Sequence, residues 1–123
     1  RDINDVLGKL GHTDLICIAD CGLPIPSDVK VVDLTLEIGK PSFMEALQLI
    51  NKEMIIERIY LAYEISYDNP LLDAQIQELF SMEKRNYITH EDFKDISNDV
   101  KLIIRTGEAT PYANIILQSG VIF

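Results

Sequence analysis

The chain has 123 residues, of which 47% are hydrophobic and 25% charged, a balance typical of one globular domain. Its formal net charge of -9 comes from 11 Lys and Arg against 20 Asp and Glu. Such a surface repels phosphate groups, which disfavours nucleic acid and an anionic membrane as partners. No apolar stretch approaches the roughly 20 residues that span a bilayer, and no signal peptide is visible. We expect a single domain over 1–123, preceded in the native protein by a short missing segment, because the chain begins at Arg1 without Met.

In the first half of the chain, apolar runs alternate with amphipathic stretches. Apolar residues at helical spacing predict a helix over 2–10 that ends at Gly11. A continuous apolar run then predicts a strand over 15–19 that is buried on both faces. A second strand is predicted over 30–34, and a Ser-Phe-Met-Glu capping box predicts a helix over 42–51.

The second half continues the alternation. A strand is predicted over 59–62, and the Asn-Pro pair at 69–70 predicts an N-cap and the start of a helix that runs to about residue 80. A capped start at 89–92 predicts a short helix to about residue 96. Three further strands are predicted over 101–105, 114–117 and 121–123. Strands separated by helices indicate a three-layer α/β/α fold with a mostly parallel central sheet.

Two residues flank the first buried strand and could carry acid-base chemistry. His12 lies at its start and titrates near neutrality, so it could move a proton at working pH, although a surface or capping histidine is the alternative. Asp20 follows the end of the strand, where ligands bind in open α/β sheets, although it could equally be a turn residue. The strand between them covers about five residues, or roughly 16 Å. The two side chains can therefore share a site only if His12 of one chain approaches Asp20 of a neighbour, which predicts a homo-oligomer.

A second polar segment follows the predicted strand over 101–105. Tyr112 supplies a hydroxyl and a flat apolar face, and Asn114 supplies a donor and an acceptor, with Ala113 between them. This set suits a polyhydroxylated ring, although a turn at the entry of a strand is the alternative. His90 and Lys94 are four residues apart on one face of a predicted helix and could reach one substrate, although a solvated face is also possible.

The sequence contains no pattern for a metal or a nucleotide cofactor. The two cysteines, Cys17 and Cys21, lack the second pair that a structural zinc site needs, and Cys17 is expected to be a small buried hydrophobe. His-x-x-x-His spacing is absent, and the glycines form no dinucleotide fingerprint. We therefore expect chemistry without metal or cofactor.

Four segments together resemble the D-ribose pyranase (ribose mutarotase) family, and the resemblance covers essentially the whole chain. They are Leu-Gly-His-Thr-Asp at 10–14, Ala-Asp-Cys-Gly-Leu-Pro-Ile-Pro at 19–26, Pro-Ser-Phe-Met at 41–44 and Pro-Tyr-Ala-Asn-Ile-Ile-Leu at 111–117. The resemblance implies a ribose pyranase-like fold and a ring-based homodecamer with sites between adjacent subunits. It also implies a cytoplasmic enzyme of ribose catabolism that interconverts the pyranose and furanose forms of D-ribose.

The resemblance further implies roles for individual residues. His12 would be the catalytic histidine, and the substrate-binding residues would be Asp20, His90, Lys94, Tyr112, Ala113 and Asn114. Ring opening and reclosure require only proton transfers and positioning, which fits these residue types.

Two alternatives to a ribose pyranase stay open at this point. One is a fucose-type mutarotase, which has the same fold and chemistry, although the Leu-Gly-His-Thr-Asp segment at 10–14 and the Leu-Pro-Ile-Pro segment at 23–26 favour ribose. The other is a non-catalytic sugar-binding or regulatory module of ribose uptake, which would need no proton donor such as His12.

Overall fold

The computed structural model of the chain describes residues 2–120. Within them, the strands are β1 (Leu15–Ala19), β2 (Val31–Asp33), β3 (Ile56–Ala62), β4 (Arg85–Ile88), β5 (Leu102–Arg105) and β6 (Ile115–Ser119). The helices are α1 (Asp2–Gly8), α2 (Phe43–Glu53), α3 (Ile65–Asp68), α4 (Pro70–Leu79) and α5 (His90–Ile96). Single 3-10 turns lie at Met82–Lys84 and Ser97–Asp99. None of the helices in this part of the chain is long and apolar enough to cross a membrane.

The six strands form one sheet in the order β2-β5-β1-β6-β3-β4. Neighbouring strands are parallel except at β6, which runs antiparallel to both β1 and β3. The prediction of a mostly parallel sheet is therefore confirmed. The reversal at β6 follows from the connection after β5, which contains no helix. A chain that turns back without a crossover helix re-enters the sheet at the end where the previous strand finished, and the next strand therefore runs in the opposite direction.

Both faces of the sheet are covered. Alternate residues of β1 point to opposite faces, and each set packs into a different core. Ile16 and Ile18 belong to the larger core, which also contains the apolar side chains of α2 and α4. Cys17 and Ala19 belong to a second core with Phe93 of α5. These four of the five β1 side chains are 0% exposed, and the three-layer prediction is confirmed.

Local signals in the sequence start two of the helices as predicted. The hydroxyl of Ser42 accepts from the N–H of Glu45 at 3.1 Å, and the Glu45 carboxylate accepts from the N–H of Ser42 at 2.8 Å. Thr89 caps α5 in the same way, accepting from the N–H of Asp92 at 3.0 Å. The predicted helix over 2–10 ends earlier, at Gly8, because a turn follows in which the Asp14 carboxylate accepts from the N–H of Gly11.

Some predictions of elements differ from the structure. The sequence did not indicate β4, because Arg-Asn-Tyr-Ile is short and largely polar, and it lies at the sheet edge beside β3. Asn69 is the N-cap residue of α4 and Pro70 follows it at the first helical position, as predicted, but the Asn69 side chain makes no capping hydrogen bond. Its side-chain N–H groups donate instead to the Thr110 hydroxyl at 3.0 Å and to the Pro111 carbonyl at 2.9 Å. The strand predicted over 121–123 lies outside the described residues.

Candidate functional site

A cleft of about 370 Å³ opens at the end of the sheet where β1 and β5 finish and β6 begins. It is lined by 20–24 after β1, by 108–112 and Asn114 before β6, and by His90 at the start of α5. Eleven of the twelve lining residues lie in connections and the twelfth, His90, is the first residue of α5. Loops at the end of a sheet are the usual position of ligand sites in open α/β folds. The cleft brings together Asp20, His90, Tyr112 and Asn114, four of the residues expected to bind substrate.

Asp20 is tied to Asn114 by two hydrogen bonds. The N–H of Asp20 donates to Asn114 Oδ1 at 2.8 Å, and Asn114 Nδ2 donates to Asp20 Oδ2 at 3.2 Å. The other carboxylate oxygen accepts from the N–H of Gly22 at 3.0 Å. Burial raises the pKa of the Asp20 carboxyl above its ordinary 3.8, although the hydrogen bonds from Gly22 and Asn114 oppose the shift. A half-buried carboxyl with a raised pKa is suited to exchange a proton with a sugar hydroxyl.

His90 and Tyr112 form the opposite wall. Their rings meet edge to face with centroids 5.1 Å apart. His90 is held at the start of α5 by its N–H, which donates to the Glu64 carboxylate at 3.1 Å. Tyr112 has a φ of +56°, a left-handed conformation that costs energy for a residue other than glycine. The turn that requires this conformation delivers the Tyr112 side chain to the cleft.

Glu108 also lines the cleft, although it is not among the site residues that the sequence predicts. One carboxylate oxygen accepts from the N–H of Phe43, the first residue of α2, at 2.9 Å. The other accepts from the Thr110 hydroxyl at 2.7 Å. A carboxylate at a helix N-terminus is favoured by the helix dipole. Glu108 therefore anchors the loop that carries Tyr112.

The remaining two residues predicted to bind substrate are placed differently. Ala113 is 0% exposed, and its side chain belongs to the larger core beneath the cleft. Lys94 lies on α5 outside the residues that line the cleft, and its ammonium group is 3.1 Å from the Glu91 carboxylate.

His12 lies beyond the opposite end of β1, in a second cleft of about 300 Å³ that also contains Glu53. Its imidazole Nε2 is 2.9 Å from the carboxylate of Glu57 on β3. His12 and Asp20 therefore flank β1 in separate clefts of one chain, as the strand length predicts. Glu57 is a partner of His12 that the sequence did not reveal, because the two residues are 45 positions apart.

The first cleft presents a carboxylate, an amide, a phenol and an imidazole around an open space, between two connections of a rigid sheet. The molecule is therefore an α/β protein with a cleft whose groups can donate and accept hydrogen bonds, which suits a small polar ligand. Among residues 2–120, no three His, Cys, Asp or Glu side chains are grouped in a way that could hold a metal ion.

The chain belongs to the RbsD / FucU transport protein family, whose model it matches over residues 1–122. This confirms the family resemblance seen in the sequence. A D-ribose pyranase of Bacillus cereus (strain G9842) is 52% identical over 122 residues, and one of Staphylococcus haemolyticus (strain JCSC1435) is 53% identical over 122 residues. Each alignment covers 99% of this chain and 93% of the relative.

Two solved structures show the same fold. RbsD of Bacillus subtilis complexed with D-ribose superposes with a TM-score of 0.97 at 44% identity. The fucose mutarotase of Streptococcus pneumoniae in complex with L-fucose superposes with a TM-score of 0.84 at 27% identity. Both comparisons cover 99% of this chain and 93% of the other.

Proposed function

We propose that this protein is an isomerase, a D-ribose pyranase that interconverts the pyranose and furanose forms of D-ribose. The observation that carries the proposal is the TM-score of 0.97 and 44% identity with a structure that holds D-ribose. Full-length relatives at 52% and 53% identity are D-ribose pyranases, which supports the same substrate. The cleft around Asp20 and Asn114 supplies the hydroxyl-binding groups that such a sugar needs.

In the proposed reaction, protons move while bonds break and form at one sugar carbon. The anomeric hydroxyl loses a proton, the bond from C1 to the ring oxygen breaks, and that oxygen gains a proton from His12. The open aldehyde then rotates, and a different hydroxyl attacks C1 and gives up its proton, while the aldehyde oxygen takes up a proton and becomes the new anomeric hydroxyl. Asp20 orients the sugar hydroxyls and can accept a proton, because burial raises the pKa of its carboxyl. Each proton released in opening is returned in closing, so the reaction is balanced without a co-reactant.

The other site residues would hold the sugar in place. His90, Tyr112 and Asn114 line the cleft and would bind hydroxyls and the ring face. Ala113 would contribute backbone atoms, because its side chain is buried. Lys94 would reach the sugar only after leaving Glu91, its partner at 3.1 Å.

The complete site is proposed to form between subunits of a homodecamer. His12 and Asp20 occupy separate clefts of one chain, so a site with both requires His12 from an adjacent subunit. A ring arrangement repeats this contact at every subunit with one kind of interface. Each subunit would be a single domain over 1–123. The proposed setting is the cytoplasm, beside ribose uptake and ribokinase.

Pyranose-furanose exchange of D-ribose, measured by NMR saturation transfer, tests the proposal. We expect wild type to accelerate exchange and His12→Ala to lose most of the acceleration while it still binds D-ribose. Glu53→Gln is the control, because Glu53 lines the same cleft as His12 without bonding to it. Binding of D-ribose without acceleration by wild type would favour a non-catalytic sugar-binding module.

A fucose-type mutarotase is the second candidate, since a fucose mutarotase shares the fold at 27% identity. The same experiment with L-fucose separates the two activities. We expect faster exchange with D-ribose, and a higher rate on L-fucose would reverse the assignment.

A further inference from the structure

Glu57 occupies an irregular position in the sheet. In the pairing of β3 with β6, Ile56 lies opposite Ser119 and Arg58 lies opposite Gln118, so Glu57 is the extra residue of a β-bulge. Bulges re-aim a side chain and are common beside active sites. Here the bulged side chain extends to the loop before β1, where it meets His12.

Both carboxylate oxygens of Glu57 are engaged. Oε1 contacts His12 Nε2 at 2.9 Å, and Oε2 accepts from Gln118 Nε2 at 2.7 Å. The oxygen of the Gln118 amide in turn accepts from the Tyr60 hydroxyl at 3.2 Å. The hydrogen bonds therefore run in one direction, from Tyr60 through Gln118 to Glu57.

This arrangement decides which ring nitrogen of His12 carries the hydrogen in the contact with Glu57. The hydrogen bonds from Gln118 and then from His12 lower the pKa of Glu57, so its carboxylate is ionised and can only accept. His12 Nε2 must then donate, which leaves Nδ1 as the nitrogen that can gain and lose a proton. The charged groups around His12 are Glu57 on β3 with its neighbour Arg58, and Glu53 at the end of α2.

We propose that Glu57, held by Gln118, is the positioning residue of His12, and that His12 exchanges protons with the sugar through Nδ1. The role rests on the proposed function, in which His12 protonates the ring oxygen. In that step Nδ1–H gives its proton to the ring oxygen as the bond to C1 breaks, while Nε2–H stays bonded to Glu57. The side chain of His12 is 53% exposed, so packing alone does not hold the ring and a hydrogen-bond partner is needed to orient it.

Glu57→Gln tests the proposal, with Glu53→Gln as the matched control. Both variants remove one carboxylate near His12, but only the first alters the hydrogen bond to it. General acid catalysis contributes about 100-fold or more, so loss of orientation should lower kcat about tenfold in Glu57→Gln. KM should stay unchanged, because both carboxylate oxygens of Glu57 are engaged by His12 and Gln118 and the proposed role of Glu57 is to orient His12. Glu53→Gln should lower kcat less than Glu57→Gln does, because His12 keeps its hydrogen bond to Glu57.

The histidine side-chain NMR spectrum gives a readout that does not depend on activity. The chain has two histidines, His12 and His90, so a ¹H–¹⁵N imidazole spectrum is simple to assign. We expect the Nε2–H signal of His12 in wild type, shifted in Glu57→Gln and unmoved in Glu53→Gln. If Glu57→Gln does not fold, Gln118→Met removes the donor to Glu57 and should lower kcat by about threefold.

Two results would overturn the proposal. One is a wild-type kcat and an unchanged His12 signal in Glu57→Gln. The other is an equal loss of kcat in Glu57→Gln and Glu53→Gln, which would indicate a charge effect without positioning. If wild type itself fails to accelerate exchange, the proposed function fails, and the imidazole spectrum alone then decides whether Glu57 orients His12.

Discussion

The side-chain amide of Asn114 bonds Asp20 at two points, accepting from its N–H at 2.8 Å and donating to its carboxylate at 3.2 Å. The pair joins the end of β1 to the start of β6, although the residues are 94 positions apart. Asn114 is only 3% exposed, so water cannot easily replace its hydrogen bonds. The orientation of the Asp20 carboxylate in the cleft therefore depends on Asn114.

Replacing Asn114 with Ala should weaken both the fold and the site. The N–H of Asp20 would lose its partner, at a cost of about 1–3 kcal/mol in the free energy of unfolding. The affinity for D-ribose should fall at least about tenfold, because the proposed contact of Asn114 with the sugar is lost and the Asp20 carboxylate is released. Chemical denaturation and titration with D-ribose measure the two effects. Asn86→Ala on β4 is the control, because Asn86 lies outside the cleft, and equal loss of affinity in both variants would contradict the prediction.

The pKa of Asp20 predicts a pH-dependent difference in stability. Burial raises this pKa above 3.8, so the folded state binds the proton more tightly than the unfolded state. The contribution of the Asp20 carboxyl to stability is complete below pH 3.8 and is lost as the pH rises through the pKa of Asp20 in the folded state. Asn does not titrate, so the stability of Asp20→Asn relative to wild type should increase between about pH 4 and pH 7.

Denaturation curves at a fixed protein concentration check this sign. Asp33→Asn is the control, because hydrogen bonds from Thr35 lower the pKa of Asp33 below 3.8. Its contribution is present above 3.8 and is lost only at lower pH, so this variant should run parallel to wild type from about pH 5 to pH 7. A constant difference in stability between Asp20→Asn and wild type over the whole range from about pH 4 to pH 7 would refute the assignment for Asp20.

Mixing two inactive variants tests whether sites lie between subunits. His12→Ala and Asp20→Ala should each lack activity as pure proteins. If they are unfolded and refolded together in equal amounts, about a quarter of the intersubunit sites should receive both intact residues. The rate of pyranose-furanose exchange of D-ribose, measured on the mixture, should recover to about that fraction of the wild-type rate. A site within one chain would give no recovery, and separately refolded variants mixed afterwards serve as the control.

The two cysteines should differ in reactivity. Cys17 is 0% exposed and burial raises the pKa of its thiol, whereas Cys21 is exposed and lines the cleft. Iodoacetamide should therefore modify the folded chain at Cys21 and spare Cys17. D-ribose should slow the modification if the sugar occupies this cleft. Mass spectrometry follows the reaction, and Cys21→Ser is the control that lacks the reactive thiol. An unaltered rate of modification with saturating D-ribose would place the sugar elsewhere.

Much of the fold was predictable because its signals are local. The capping box at Ser42 and the side-chain cap at Thr89 join residues three positions apart, and both form as the sequence indicates. The bounds of β1 match its five-residue apolar run, because every side chain in that run is needed in one of the two cores. The separation of His12 from Asp20 also followed from strand length alone.

What the sequence by itself determined is the inventory of apolar runs, helix starts and polar residues after strands, since these depend on neighbours within a few positions. Only the tertiary structure decided which of those residues meet. Asn69 resembles a cap, yet its side chain bonds Thr110, which is 41 positions away. Glu57 meets His12 only because a bulge in β3 shifts its register against β6. Such contacts are set by the pairing of distant strands, and the local sequence around either partner carries no signal for that pairing.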